Sequence, residues 1–530
     1  MGARAASGRG LWVVLGAAVL AVVLALAVRA YLHASALRAA TATAEAALSR
    51  DTFGGFRDAD RALRDLVGPH SQDLYRVSLR SYALAQLAAR YGDDQAAVDS
   101  ELLNAPLERA LQGGQIHDAD LPARFWAARA LLLLASSEPG SALLMLSGSP
   151  PGHESSELSV VRAQVLTQLE KPAAAAAALS ESLNRKPPSL EALWAAAATA
   201  DKAHDDARTF DLAEQAVQQN PNHWPSLLLL GALGLRKAVD PEQAKELLAR
   251  ALPNAATEAS PAEQCLALTE LAQLDLILGN ISAVVATIDR GANIEEISPT
   301  CRVDLARIDR RLGRDEQALA LLHAAADDED PGEAALAYAE VVGDPIARLR
   351  YAGAPPPPGL TNLEASRYTA RVNAVRLQAA LQLGKRKEAA LLAPKIEGWE
   401  TPQGFDALAH LKAANGDLKG ATRLLEEARR VAAKAPNAGD VLASVGEQAL
   451  ALSMWQQAAT ACGDGARHAP GNYRALLCQA RGLWGQGRTA DARIAIDKAV
   501  ALNPLGEQAT ALRAQIIPGT ALAAPAAAGP

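Results

Sequence analysis

Aromatic residues are scarce in this sequence: Phe, Trp and Tyr make up 4% of 530 residues, and only five are Phe. A β-sandwich or barrel of this length would show turn-punctuated runs of β-branched and aromatic residues, and none is present. Charge of one sign is also in short supply. Fifty-two Lys and Arg against 59 Asp and Glu leave a formal net charge of −7, too modest for a strong polyanion-binding field. A nucleic-acid interface needs a clustered basic face with stacking aromatics, so no nucleic-acid partner is expected. The motifs of catalysis are missing as well: there is no phosphate-cradling glycine loop, no H-E-x-x-H, no G-x-S-x-G and no C-x-x-C. The nine His are scattered singly. The acidic run Asp327-Asp328-Glu329-Asp330 lacks the alternate-ligand spacing and glycine of a calcium loop and reads as a solvated turn. No enzyme activity, cofactor, metal or small-molecule substrate is therefore expected.

What is abundant is alanine, the best helix former, within a composition that is 50% apolar. The fold class this implies is all-α. The clearest stretch is Tyr473–Pro504, two short helical patterns joined at Gly485-Gln486-Gly487. Small residues sit where two helices must approach: Ala480, then Ala492 and Ala499 at offsets of 12 and 19, with Pro504 closing the unit at 24. One unit earlier, Gly446, Ala458, Gly465 and Pro470 keep the same offsets. So do Ala130, Ala142 and Ser149, then Ala306, Ala318 and Ala325, then Ala409, Ala421 and Ala428. Ala232, Ala244 and Ala251 keep them too, and looser units place Ala176 before Pro188, Thr209 between Ala197 and Ala216, and Val284 between Ala272 and Gly291. Self-similarity at a fixed period marks a repeat array.

At these residues the chain resembles the tetratricopeptide repeat (TPR) superfamily, whose helix-turn-helix units run about 34 residues. Leu, Ala or Val often stands where that family carries its large aromatics. The resemblance covers most of the chain and implies an α-solenoid whose first helices line a concave groove suited to peptides or partner helices. Helical phase places Trp194, Arg307, Arg310, His410, Glu447, Arg481 and Trp484 as groove candidates, chosen because Trp and Arg dominate binding hot spots. Packing between repeats is the competing role for each of them.

Ahead of the repeats, Leu11–Val28 runs for 18 residues without a charge, about 27 Å as a helix and just enough to cross a bilayer core. Trp12 and Tyr31 flank it at interface depth. An uncleaved anchor over 11–32 is expected; a signal peptide cleaved near Ala34-Ser35-Ala36 is the alternative. Arg4 and Arg9 precede the span and Arg29 and Arg38 follow it, leaning only slightly to a cytoplasmic N-terminus. With Lys scarce beside Arg and Ala, the composition points to a high-GC bacterial source, and hence to an inner-membrane protein with its bulk in the periplasm.

The layout read from sequence is then a short cytoplasmic 1–10, the span at 11–32, and an amphipathic to degenerate helical region at 33–120 interrupted at Gly54-Gly55. Two TPR-like blocks follow at 121–330 and 370–517, separated by an irregular linker at 331–369 holding Pro355–Pro358, and 518–530 is a disordered tail. The cysteines pair by position. Cys462 and Cys478 lie eight residues either side of Pro470, and Cys265 and Cys301 are 36 apart near the starts of equivalent helices. In an oxidising compartment both pairs are candidate disulfides; otherwise they are small buried hydrophobes. The expected function is a membrane-anchored, non-catalytic scaffold for an envelope assembly such as secretion or polysaccharide export. A chaperone-like factor for unfolded clients and an accessory subunit of a membrane enzyme are the alternatives.

Overall fold

A computed structural model of the chain describes residues 7–516, apart from 69–70, 72, 115–116, 118–121, 148–154, 185–186, 238–240, 295–296, 329–331, 358–359, 436 and 505, with side chains described from residue 20. The described residues form 27 α-helices and no strand. From Leu74 to Leu502 they run as twelve consecutive helix pairs, a TPR-like α-solenoid. The chain divides into two compact units, 1–260 and 261–530, so the boundary falls inside the stretch read from sequence as the first block.

The spacing of small residues is the packing rule of the pairs. Ala130 and Ala142, then Ala306, Ala318 and Ala325, then Ala409, Ala421 and Ala428, then Ala480, Ala492 and Ala499 are all 0% exposed. Where two helix axes cross closely only a methyl or a hydrogen fits, and each larger side chain there must be absorbed by its neighbours. Thr209 fits because its hydroxyl donates back to the Asp205 carbonyl at 2.8 Å and leaves its methyl to pack. Two units keep the rule in a different register from the one expected. Ala175 is buried and Ala176 is not, so the set is Ala163, Ala175 and Ser182. In the helix Trp224–Lys237 the close approach falls on Gly231 and Gly234, where a Cβ would stand 2.6 Å from Leu248 and 3.2 Å from Ala244; Ala232 is only half-buried.

Two further expectations are corrected. The break after the first helix is not at Gly54-Gly55. The helix Ser7–Leu48 ends before Asp51, which has φ 51°, and Thr52 caps the next helix, Phe53–Arg64. Gly55 lies in its first turn because a Cβ there would meet the Ala47 carbonyl oxygen at 2.6 Å. Residues 331–369 are not an irregular linker throughout. They contain the helices Gly332–Val341 and Pro345–Tyr351 and the start of Asn362–Gln382. Gly343-Asp344-Pro345 is a helix start: the Asp344 carboxylate accepts from the N–H groups of Ile346 and Ala347, and Pro345 takes the first turn, where no N–H is needed. Within the extended run Pro355 and Pro356 are exposed, while Pro357 sits against Gly332, whose carbonyl accepts from the Tyr368 hydroxyl at 3.0 Å. Pro358 and the 518–530 tail lie outside the described residues.

In the first unit, the helix Ser7–Leu48 has exposed apolar side chains from Leu20 to Leu32, and by length and composition it suffices to cross a membrane. It then buries Ala44 and Ala47 in the core shared with Phe56, Leu63 and Leu79, with no interruption between the exposed and the packed parts. This unit also closes on itself. Arg50 pairs with Glu258 and with Asp58, and the Thr52 hydroxyl donates to Glu258 at 2.6 Å.

The second unit closes likewise, through contacts far apart in sequence. The Arg311 guanidinium forks onto Asp440 at 2.7–3.0 Å, and the same carboxylate accepts from Asn472 at 3.0 Å. The Asn503 amide donates to the Leu312 carbonyl at 2.7 Å. Beside it the Tyr473 ring lies flat on Gly313, where a Cβ would come within 2.4 Å. The superhelix thus completes a turn within this unit, its first pairs meeting its last ones.

Candidate functional site

Closure of the second unit frames an open cavity of about 850 Å³. Its wall is built by the inner faces of successive first helices, at the three- and four-residue spacing of one helical stripe. Pro299–Arg311 contributes Val303, Arg307 and Arg310, and Gly332–Val341 contributes Glu333, Ala337 and Glu340. Asn362–Gln382 adds Glu364, Arg367, Tyr368 and Arg371, and Pro402–Ala414 adds Gln403 and Asp406. Ala438–Ala451 and Tyr473–Gly485 complete it with Asp440, Ser444 and Arg474.

Most charges on this wall are committed to one another. Arg371 reaches across to two carboxylates of the helix Gly332–Val341, at 2.6 Å from Glu333 and 2.9–3.0 Å from Glu340. Arg474 is nearly buried and forks onto Glu447, with Nε at 3.0 Å from Oε1. Arg307 pairs with Asp304 on its own helix at 2.7 Å. Two buried groups are left over. The Arg310 Nε is buried with no hydrogen-bond partner, and burial, then the neighbouring Arg474, pushes its guanidinium down to about 10. Asp406 is 4% exposed, its Oδ1 has no partner, and burial pushes its carboxyl up to about 8. With no donor at Oδ1, burial favours the neutral acid at Asp406.

The groove candidates therefore separate. Arg307 and Arg310 line the cavity, and Glu447 acts on it through Arg474. His410 lies one turn beyond Asp406 on the same helix, bonded to Gln448 and held below the usual histidine range by burial; it is not part of the wall. Arg481 is exposed and reaches Gln508 at 3.1 Å, and Trp484 is 42% exposed, both away from the cavity. Trp194 belongs to the first unit, where it packs edge-to-face on His223, centroids 5.9 Å apart. His223 is held neutral by burial, down to about 3, and bonds Ser226 at 2.8 Å. Asp406 and Arg371 escaped the sequence reading. The only available signal was that Asp406 stands three positions before the small residue of its helix, where other units carry Val303, Ala443 and Leu477.

The four cysteines face each other in two pairs. Cys265 and Cys301 have Cα atoms 6.0 Å apart and Cys462 and Cys478 5.9 Å apart, each with sulfurs at bonding distance. Gly446 makes room for the second pair: a Cβ there would lie 2.0 Å from the Cys462 sulfur and 3.0 Å from that of Cys478.

No protein-family model matches the chain, and no curated protein matches it. Among solved structures it is similar to a chain of the APC/C hetero-tetramer Cut9–Hcn1, with 13% identity over 90% of this chain and 96% of that one and a TM-score of 0.29. A likeness at that level says nothing about partner or process, and the repeat geometry stands on the packing described above.

Proposed function

We propose that this chain is a membrane-anchored scaffold that holds a segment of a partner protein in the inner cavity of its second unit. The observation that carries the reading is the cavity itself, an 850 Å³ space walled by the first helices of an α-solenoid and holding two buried polar groups without partners. Pockets of about 300–1,000 Å³ suit ligands of drug or short-peptide size, and the inner face of a solenoid is where such arrays take extended ligands. The exposed apolar stretch of the first helix is the anchor. The two cysteine pairs are disulfides, which favours the bulk of the chain on an oxidising side of the membrane, in the periplasm of an envelope assembly. The charge-rich wall supports a specific partner over a chaperone for unfolded clients, whose groove would be broadly apolar. An accessory subunit of a membrane enzyme remains the second reading, favoured by the same specificity.

Photo-crosslinking in intact membranes tests this. Benzoylphenylalanine in place of Arg367 or Ser444 on the cavity wall is expected to trap one protein in a discrete adduct, and the same residue at the exposed Glu426 is not. Adducts from Glu426 alone would overturn the cavity as the binding site. A smear of many adducts from the wall would favour the chaperone.

A further inference from the structure

We propose that the partner segment presents a basic side chain, Lys or Arg, to the second unit's cavity and that the Asp406 carboxylate is its counter-ion. This rests on the reading of the cavity as the partner site. Asp406 is 4% exposed, lines the cavity and leaves Oδ1 without a donor. A buried acid with no partner costs stability, and packing does not require one here. Three positions before the small residue of their helices, Val303, Ala443 and Leu477 occupy the equivalent place, and all are buried hydrocarbon.

The protein's own cations do not answer Asp406. Arg371 is held between Glu333 and Glu340, Arg474 by Glu447 and Arg307 by Asp304; Arg310, Arg367 and Lys434 also line the cavity, and none of them bonds the Asp406 Oδ1. The missing charge must come from the ligand. Glu400, exposed and lining the same cavity, adds a second negative group for the entering cation. A cation that reaches Asp406 takes the place of the proton the acid carries when the cavity is empty. Binding therefore converts the neutral acid to a carboxylate, and one proton leaves to solvent.

Full-length protein in detergent micelles is titrated with fluorescein-labelled, end-capped Ala-Gly-Lys-Gly-Ala and with peptides carrying norleucine or glutamate in place of the lysine. The lysine peptide is expected to bind at least about tenfold more tightly than the norleucine peptide, the scale of a hydrogen bond to a charged group. Asp406→Asn, isosteric and uncharged, should erase that preference while leaving the norleucine peptide's affinity in place and the thermal melt no lower than the parent's. Asp406→Leu, which restores the hydrocarbon of the other units, should do the same. Equal binding of the lysine and norleucine peptides overturns the inference and leaves the cavity reading to the crosslinking result. Preference for the glutamate peptide overturns it in favour of Arg310 as the reader. No binding of any of the three, or equal loss of all three in Asp406→Asn, overturns it as well.

Discussion

Asp406 sets a pH dependence whose sign follows from burial. Unfolded, its carboxyl titrates near 3.9; folded, burial raises it to about 8. Between these values the native state holds a proton that the unfolded state has lost. The stability contribution is therefore intact below about pH 4 and falls as pH rises, by up to about 1.4 kcal/mol per unit, until the folded group ionises near 8. Glu191, raised to about 8 by burial, gives a slope of the same sign in the first unit, so the informative quantity is a difference between variant and parent. Urea melts of Asp406→Asn are expected to match the parent near pH 4.5 and to exceed it by roughly 2 kcal/mol or more at pH 8. A gain independent of pH would mean that the acid is already ionised when folded. Gly446 makes an opposite residue-scale prediction. Gly446→Ala relieves backbone entropy but drives a methyl into the Cys462 sulfur, so a loss of about 1–3 kcal/mol is expected from overpacking. Sequence alone marked Gly446 as a close-approach position, because the offset of 12 to Ala458 is local. It could not mark Asp406, because in a charge-bearing, alanine-rich helix an acid reads as solvated until the superhelix closes over it.

At the scale of helices and their pairs, two kinds of fastener act beside the alanine seams. The cysteine pairs tie successive units, Cys265 to Cys301 and Cys462 to Cys478 across one turn between helices. A closed loop of 16 residues restricts the unfolded chain by about 3 kcal/mol in the loop-entropy account. Cys462→Ser or Cys478→Ser should therefore lower stability by roughly that amount, and alkylation before reduction should leave all four thiols unlabelled in protein isolated without reductant. Four labelled thiols would remove both bridges and the argument for an oxidising compartment. The second fastener is capping. Asp344 holds two backbone N–H groups at the start of Pro345–Tyr351, and Asp344→Ala is expected to cost about 1 kcal/mol, read by chemical denaturation. The helices were legible where periodicity and small residues coincide, and misread where loop signals belong to caps. Gly343-Asp344-Pro345 looks like a break yet starts a helix, and Gly54-Gly55 looks like a hinge yet lies inside one. In each case the deciding contact, a carboxylate on backbone amides or a carbonyl against a missing Cβ, is invisible to composition.

For the whole molecule, closure of the second unit is what turns a one-dimensional array into a walled site. A linear solenoid buries only contacts between neighbours and melts piecewise; the second unit adds contacts between its first and last pairs. Asp440 is the centre of that seam, receiving Arg311 and Asn472. Asp440→Ala should cost about 2–4 kcal/mol, since it strands a partly buried guanidinium, and should make the unit's hydrogen exchange less cooperative, which mass-resolved exchange would read. Nothing in the sequence announces this seam, because its partners are 129 residues apart and no local pattern couples them. The unbroken helix Ser7–Leu48 has a consequence of another kind. Its lipid-length half and its packed half share one rigid axis, so under the proposed anchoring the bilayer would dictate the compass bearing of the first unit. Each residue inserted near Leu32 would swing that unit by about 100° around the helix and lift it about 1.5 Å. Function would fail after one or two insertions and return near four, as a key returns to its slot after a full turn.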